Sequence, residues 1–322
     1  MGVNLFFILS GFVLYLPFAD GRRHLDRWPD VTGFLRHRAR RLLPLYYFNC
    51  AILFALYYHP ESARAAICQF LALLTVTFNF SAATFMPQTN WVLWSLGIEI
   101  WFTFAFVIVA YLIPRIGLLA VAIATFIIAC SFRQAGAIAH FDAYALTSGL
   151  GARLDDFVAG MLIAVWYARG AKPIFTDAWL SWLCVPAGLV LVTCAAILFD
   201  DHVASWLSTL GSTVFEAGIA LILCSLLSRH ARPAQGRLWL PLELMGLMCY
   251  SIYIWHGVVL VGIRTRFMPL FAPGLHGAAY HLVQIGLYLA VLAPIAWMSY
   301  RYVEFGSVKN WRTLMPSSTT RQ

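Results

Sequence analysis

The sequence predicts an all-α, polytopic transmembrane helix bundle, and three observations carry that prediction. Hydrophobic residues make up 61% of the 322 and only 11% are charged, whereas a water-soluble domain is nearer half apolar and a quarter charged. The apolar residues come in runs close to the roughly twenty that a helix needs to cross hydrocarbon, where only a self-bonded backbone is tolerated. The basic residues, twenty Arg and two Lys, sit mainly between these runs, where positive charge sets orientation. That placement argues against the nucleic-acid partner that a net charge of +8 suggests for a soluble protein. The composition excludes a secreted disulfide scaffold, a soluble two-domain enzyme and a disordered chain.

Taken in order, the runs predict crossings near 3–19, 42–58, 91–113, 116–132, 154–168, 179–199, 207–227, 245–263 and 280–300. The first run opens almost at Met1 without a basic stretch and ends at Pro17-Phe18 without a small-residue cleavage site, so it reads as a span, not a cleavable signal. A tenth run, 66–80, is about fifteen residues long and carries Gln69, Thr75, Thr77 and Asn79. Charge decides its status. If it does not cross, one side collects the seven Arg of loop 20–41, then Arg115, Arg169, Lys172, Arg229, Arg232, Arg237, Arg301, Lys309 and Arg312. The positive-inside rule favours that count. The expectation is about nine crossings plus one re-entrant or interfacial segment, with the amino terminus outside and the carboxyl terminus cytoplasmic. A membrane-embedded domain spans 1–304 and a cytoplasmic tail 305–322. The seven Cys lie in apolar segments without a C-x-x-C pair and read as packing residues, so neither a disulfide framework nor a metal site is expected.

Ionisable groups inside a span cost roughly 2.5–3.5 kcal/mol on insertion scales, so each calls for a partner or a job. In W-V-L-W-S-L-G-I-E, Trp91, Ser95 and Glu99 fall at i, i+4 and i+8, one stripe of a helix. Glu99 then faces the bundle, either as a base or orienting carboxylate or as a buried acid neutralised by an Arg. In R-L-D-D-F-V-A-G, Arg153 and Asp156 share a face with Asp155 beside them; a local ion pair and a polar mouth for an acceptor both fit. His256 shares a face with Tyr253 in S-I-Y-I-W-H-G, as a packing residue or a catalyst. Glu216 sits mid-span with no partner identified. Arg36, Arg38, Arg40 and Arg41 form R-H-R-A-R-R, which serves as a topology signal, binds anionic headgroups, or captures the phosphates of a nucleotide-bearing donor through guanidinium forks.

Together these stretches resemble the acyltransferase-3 family of integral membrane acyltransferases. The likeness rests on G-V-N-L-F-F-I-L-S-G-F at 2–12, R-A-R-R-L-L-P-L-Y-Y at 38–47, W-S-L-G-I-E at 94–99, R-L-D-D-F-V-A-G at 153–160 and S-I-Y-I-W-H at 251–256, in family order. It implies transfer of an acyl group, often acetyl, from cytoplasmic acyl-CoA (a donor substrate, with no bound cofactor) to a hydroxyl of a carbohydrate or lipid-linked acceptor, at an inner or plasma membrane. On that resemblance Glu99 and Ser95 are catalytic candidates, and His256 joins them as a candidate read from its own position. Arg36, Arg38, Arg40 and Arg41 hold the donor, and Trp94, Arg153, Asp155 and Asp156 meet the acceptor.

The departures from the family pattern bear on the chemistry. Family members usually open with a further helix carrying an Arg and, eleven residues later, a catalytic His, whereas this chain starts at what corresponds to the second helix. Asn4 stands where an acidic residue is common, and Ile100-Trp101 replace a polar pair. The expectation is that the reading frame begins upstream of Met1; a shortened paralogue inactive in acyl transfer is the alternative. A transporter or channel, and a non-catalytic partner in envelope polysaccharide assembly, stay open as rival functions.

Overall fold

The computed structural model describes residues 2–25, 27–57, 62–138, 143–170, 178–198, 205–228, 240–271 and 274–304. Among them no strand occurs, and the order is α1 (Gly2–Ala19), α2 (Trp28–Tyr57), α3 (Ala63–Leu74), α4 (Leu93–Ile116), α5 (Leu118–Ile138), α6 (Ala143–Ser148), α7 (Leu154–Ala168), α8 (Ala178–Leu198), α9 (Ser205–Ser228), α10 (Leu240–Leu247), α11 (Cys249–Gly262), α12 (Met268–Phe271) and α13 (Gly277–Ser299). Each of the nine expected crossings falls on one or two of these helices. Among the described residues five helices are long and apolar enough to cross a membrane: Gly2–Ala19, Leu93–Ile116, Leu118–Ile138, Thr209–Ser228 and Gly277–Glu304. The chain is a multi-pass helical membrane protein. The expected tail, 305–322, and the charged stretches 199–204 and 229–239 lie outside the described residues.

Three local expectations are corrected. The arginines of 36–41 do not lie in a loop but on α2, which begins at Trp28. Pro29 in the first turn has a pre-set helical φ and Asp30 complements the helix dipole, while Arg is itself a good helix former. The crossing near 245–263 is divided: α10 ends at Leu247, a turn at Met248 follows, and α11 starts at Cys249. Trp91 is not on the stripe of Ser95 and Glu99. It precedes α4 and is 49% exposed, because Asn90 turns the chain there, its Oδ1 accepting from Val92 N–H and its carbonyl from Leu93 N–H.

The tenth run forms α3, whose twelve residues reach about 18 Å, well short of the roughly 30 Å hydrocarbon core. It stops before Val76, which takes a left-handed φ of 57°, and one 3-10 turn follows at Phe78–Phe80.

The chain divides into two compact units. One comprises Met1–Leu35, Thr75–Met86 and Trp94–Gln235; the other comprises Arg36–Leu74, Pro87–Leu93 and Gly236–Gln322. In the first unit α1 and α7 pack at backbone distance. A Cβ on Gly11 would collide with the Phe157 carbonyl, and one on Gly160 with the Ile8 carbonyl. This is the small-residue packing that lets helices associate where hydrophobicity offers no drive. Phe157 stacks on Phe102 at 3.7 Å between centroids and packs on Phe7 at 4.8 Å. Gly188 and Gly218 repeat the device between α8 and α9, where added Cβ atoms would stand 2.6 and 2.7 Å from the facing carbonyl oxygens.

In the second unit polar side chains do the joining. Tyr46 and Tyr47, the end of L-L-P-L-Y-Y, donate to the carbonyls of Leu73 and Leu74 at 2.6 and 2.9 Å, satisfying acceptors that the end of α3 leaves open. Asn90 Nδ2 donates to Asn49 Oδ1 at 3.0 Å and to the Ile254 carbonyl at 2.9 Å.

Candidate functional site

In the first unit, the start of α4 carries W-S-L-G-I-E. Asn79, from the 3-10 turn, donates to the Trp94 carbonyl at 2.9 Å, and its side chain together with the Phe78 ring occupies the space that a side chain at position 97 would need. Glycine at 97 is thus the condition for this turn to lie against α4. Trp101 donates from Nε1 to the Val76 carbonyl at 2.7 Å, so the residue that departs from the family's polar pair fixes the left-handed turn. Ser95 is fully buried and Glu99 is 5% exposed. They stand one turn apart on one face, and Ser10 Oγ of α1 donates to Glu99 Oε1 at 3.3 Å. Trp94 packs against Phe85, centroids 5.8 Å apart.

A second cluster of the same unit joins α1, α5, α7 and α9. Arg133 donates through Nε to the Ala152 carbonyl at 2.9 Å, and through Nη2 to Asp155 Oδ1 at 2.6 Å and Glu216 Oε1 at 3.3 Å. Arg153 Nη1 lies 3.7 Å from Asp156 Oδ2, the i, i+3 pair that the spacing predicts. Asn4 Nδ2 reaches both Asp156 oxygens at 3.2 and 3.3 Å. Asn4, where an acid is common, therefore gives Asp156 a neutral donor in place of a further negative charge. Arg133 is the partner that Glu216 lacked on sequence alone. The signal for it was faint, a single Arg in S-F-R-Q just past an apolar run that α5 extends by one and a half turns. Arg153 Nε, Arg133 Nη1 and Asp155 Oδ2 make no hydrogen bond within the described residues.

The second unit holds the other candidates. Arg36, Arg40 and Arg41 are exposed along α2 and Arg38 is half-buried, with Arg36 and Arg40 on one face. On α11 Tyr250 and three residues of the motif, Ser251, Trp255 and His256, are engaged. Tyr250 donates to the Leu42 carbonyl at 2.6 Å, Ser251 to Glu304 Oε2 at 3.0 Å, and Trp255 Nε1 to Ser299 Oγ at 2.8 Å. Glu304 is buried and within electrostatic reach of Arg41; sequence reasoning gave it no role, because its partner Ser251 lies 53 residues away. His256 Nδ1 is 2.6 Å from the Tyr253 carbonyl. A carbonyl only accepts, so Nδ1–H is the donor of this bond. Trp91 packs edge-on to the same ring, centroids 6.3 Å apart.

Among the described residues the first unit thus brings Ser95 to Glu99, and Arg153 to Asp155 and Asp156. The second joins Ser251 to Glu304 and His256 to the Tyr253 carbonyl.

Residues 1–300 match the acyltransferase-3 model, described as an acyltransferase domain. The chain is 25% identical to the exopolysaccharide production protein ExoZ of Rhizobium meliloti (strain 1021), over 91% of this chain and 88% of that protein. It is 24% identical to the peptidoglycan O-acetyltransferase OatA of Listeria monocytogenes serovar 1/2a, over 96% of this chain and 51% of that protein. The O-acetyltransferase OatA of Staphylococcus aureus (strain NCTC 8325 / PS 47) is likewise 24% identical, with 94% and 52% covered. The chain therefore spans about half the length of these two O-acetyltransferases and most of ExoZ. No solved structure matches it.

Proposed function

Because the chain belongs to the acyltransferase-3 family, we propose that this membrane acyltransferase moves an acyl group, acetyl in the first instance, from cytoplasmic acyl-CoA to a hydroxyl of a carbohydrate or lipid-linked glycan. The relatives named as O-acetyltransferases, one of them of peptidoglycan, support the acyl group and the acceptor class. Arg36, Arg38, Arg40 and Arg41 hold the donor's phosphates; a row of guanidiniums on one helix suits several phosphate oxygens at once. That assignment puts their end of α2, and the carboxyl terminus, on the cytoplasmic side of an inner or plasma membrane.

In the reaction the acceptor hydroxyl oxygen attacks the thioester carbonyl. A C–O bond forms, the C–S bond breaks, and the hydroxyl proton passes to a base and then to the departing thiolate. His256 Nε2 is the base we assign, its proton-bearing Nδ1 committed to Tyr253. Glu99 acts as a base or an orienting carboxylate on its own turn of α4, and Ser95 lines the same turn. Trp94 with Arg153, Asp155 and Asp156 bounds the acceptor's route, Arg153 offering Nε–H to a sugar hydroxyl. The charged donor stays on the arginine side while only the acyl group passes.

The observation that carries this reading is Glu99, a carboxylate buried in a bundle and held by the Ser10 hydroxyl within the W-S-L-G-I-E motif. In proteoliposomes, Glu99→Gln is expected to cut labelled acetyl transfer from acetyl-CoA by about 100-fold with the melting temperature retained. Undiminished transfer overturns the role of Glu99, and substrate flux without acyl-CoA dependence overturns the enzyme reading in favour of a transporter.

A further inference from the structure

The charge network of the first unit does not balance. Arg133 is closest to Asp155, at 2.6 Å, and Arg153 faces Asp156 at 3.7 Å. Glu216 is a third acid, and its contact with a cation is the longer, 3.3 Å bond of the same Arg133 nitrogen that serves Asp155. Three carboxyls thus face two guanidiniums among the described residues. Oxygens of Asp155, Asp156 and Glu216 lie within 4.8 Å of one another and all three residues are buried. Asp155 Oδ1 and Glu216 Oε1 accept from the same Arg133 nitrogen, Nη2, and Asp155 Oδ2 has no partner among the described residues.

Two ionised carboxylates have no donor between them and repel, whereas one proton converts the same approach into a hydrogen bond. A metal ion in that place would confront two guanidiniums, while a proton needs no ligand shell and brings the count to neutral. Neutrality matters here because a net charge in a span is costly.

We propose that Asp155 and Glu216 share one proton, making the meeting point of α5, α7 and α9 a buried proton-binding site in which Arg133 holds both carboxyls. The groups facing the pair are Arg133 and Cys130 from α5, Arg153 and Asp156 from the start of α7, and, through Asp156, Asn4 from α1. On α9 itself Thr213 lies one turn before Glu216. The site gives the unit one exchangeable proton, at a pair of which Asp155 also bounds the proposed acceptor route.

Infrared spectroscopy of the full chain in lipid nanodiscs at neutral pH tests this. The wild type is expected to show the carbonyl stretch of a protonated carboxyl, shifted in deuterated water. Glu216→Gln and Asp155→Asn are each expected to lose one carboxyl's intensity from it, since either leaves two acids facing two guanidiniums. Glu216→Gln keeps the shape and a donor of the protonated acid, so it is expected to melt within about 2 °C of wild type, and Glu216→Ala lower. A wild type without the band, intensity unchanged in Glu216→Gln, or Glu216→Gln melting as low as Glu216→Ala overturns the proposal. If Asp155→Asn does not fold, Glu216→Gln decides alone.

Discussion

The two units use charge in opposite ways. In the first, Arg133 is engaged by carboxyls of two neighbouring helices and Arg153 faces Asp156 of its own turn, both in the interior. In the second, Arg36, Arg40 and Arg41 stay exposed, and the buried groups are joined by neutral hydroxyl, indole and amide donors. The enclosed Arg133 ties α5 to α7 and α9, whereas an exposed guanidinium stays available to a ligand. The same residue type therefore predicts a stability defect in one unit and a binding defect in the other.

The largest expected effect comes from breaking the enclosed set. Arg133→Met removes the cation from Asp155 and Glu216 and the donor from the Ala152 carbonyl in one step. Removing one partner of a buried ion pair typically costs about 3–5 kcal/mol. Thermal melts of detergent-solubilised protein should show a midpoint well below those of Glu99→Gln and Glu216→Gln. An Arg133→Met protein melting like wild type would mean that the network does not hold α5, α7 and α9 together.

A smaller, differently shaped effect is expected from the exposed set. Arg40→Gln with Arg41→Gln should leave the melting midpoint in place and raise the KM for acetyl-CoA about tenfold, the equivalent of roughly 1.4 kcal/mol. The affinity that remains should fall less steeply with salt, since fewer charges are left to screen. A stability loss without a change in KM would make these arginines structural and erase the contrast between the units.

Sequence legibility follows the same division. Helix positions were readable because apolar runs end at charge, Gly or Pro. The predicted 3–19 and 154–168 became Gly2–Ala19 and Leu154–Ala168. The start of α2 is less legible, because an arginine-rich stretch reads as a loop although Arg does not oppose helix. Within the site, local pairs were visible: Ser95 with Glu99 at i, i+4, and Arg153 with Asp156 at i, i+3. The partners that complete them were not, because Glu216 meets Arg133 across 83 positions and Glu304 meets Ser251 across 53. Helical periodicity carries no information at such separations. Trp91 failed for the reverse reason: the spacing was helical, but the helix had not yet begun.

The smallest effect sharpens the comparison. If the second unit owes its cohesion to neutral donors, removing one should lower stability without touching donor affinity. Tyr46 is fully buried and donates to the Leu73 carbonyl at 2.6 Å, whereas Tyr47 makes the equivalent bond to Leu74 at an exposed position. Tyr46→Phe leaves a buried carbonyl short of a donor, a loss of about 1 kcal/mol and a fall in melting midpoint of about 2 °C. At Tyr47→Phe water can take over the carbonyl, so a smaller shift is expected there. The KM for acetyl-CoA should stay put in both. Equal shifts from the two variants would show that burial does not govern these bonds, and a KM change with Tyr46→Phe would mean that the α3 contact shapes the arginine face as well as the fold.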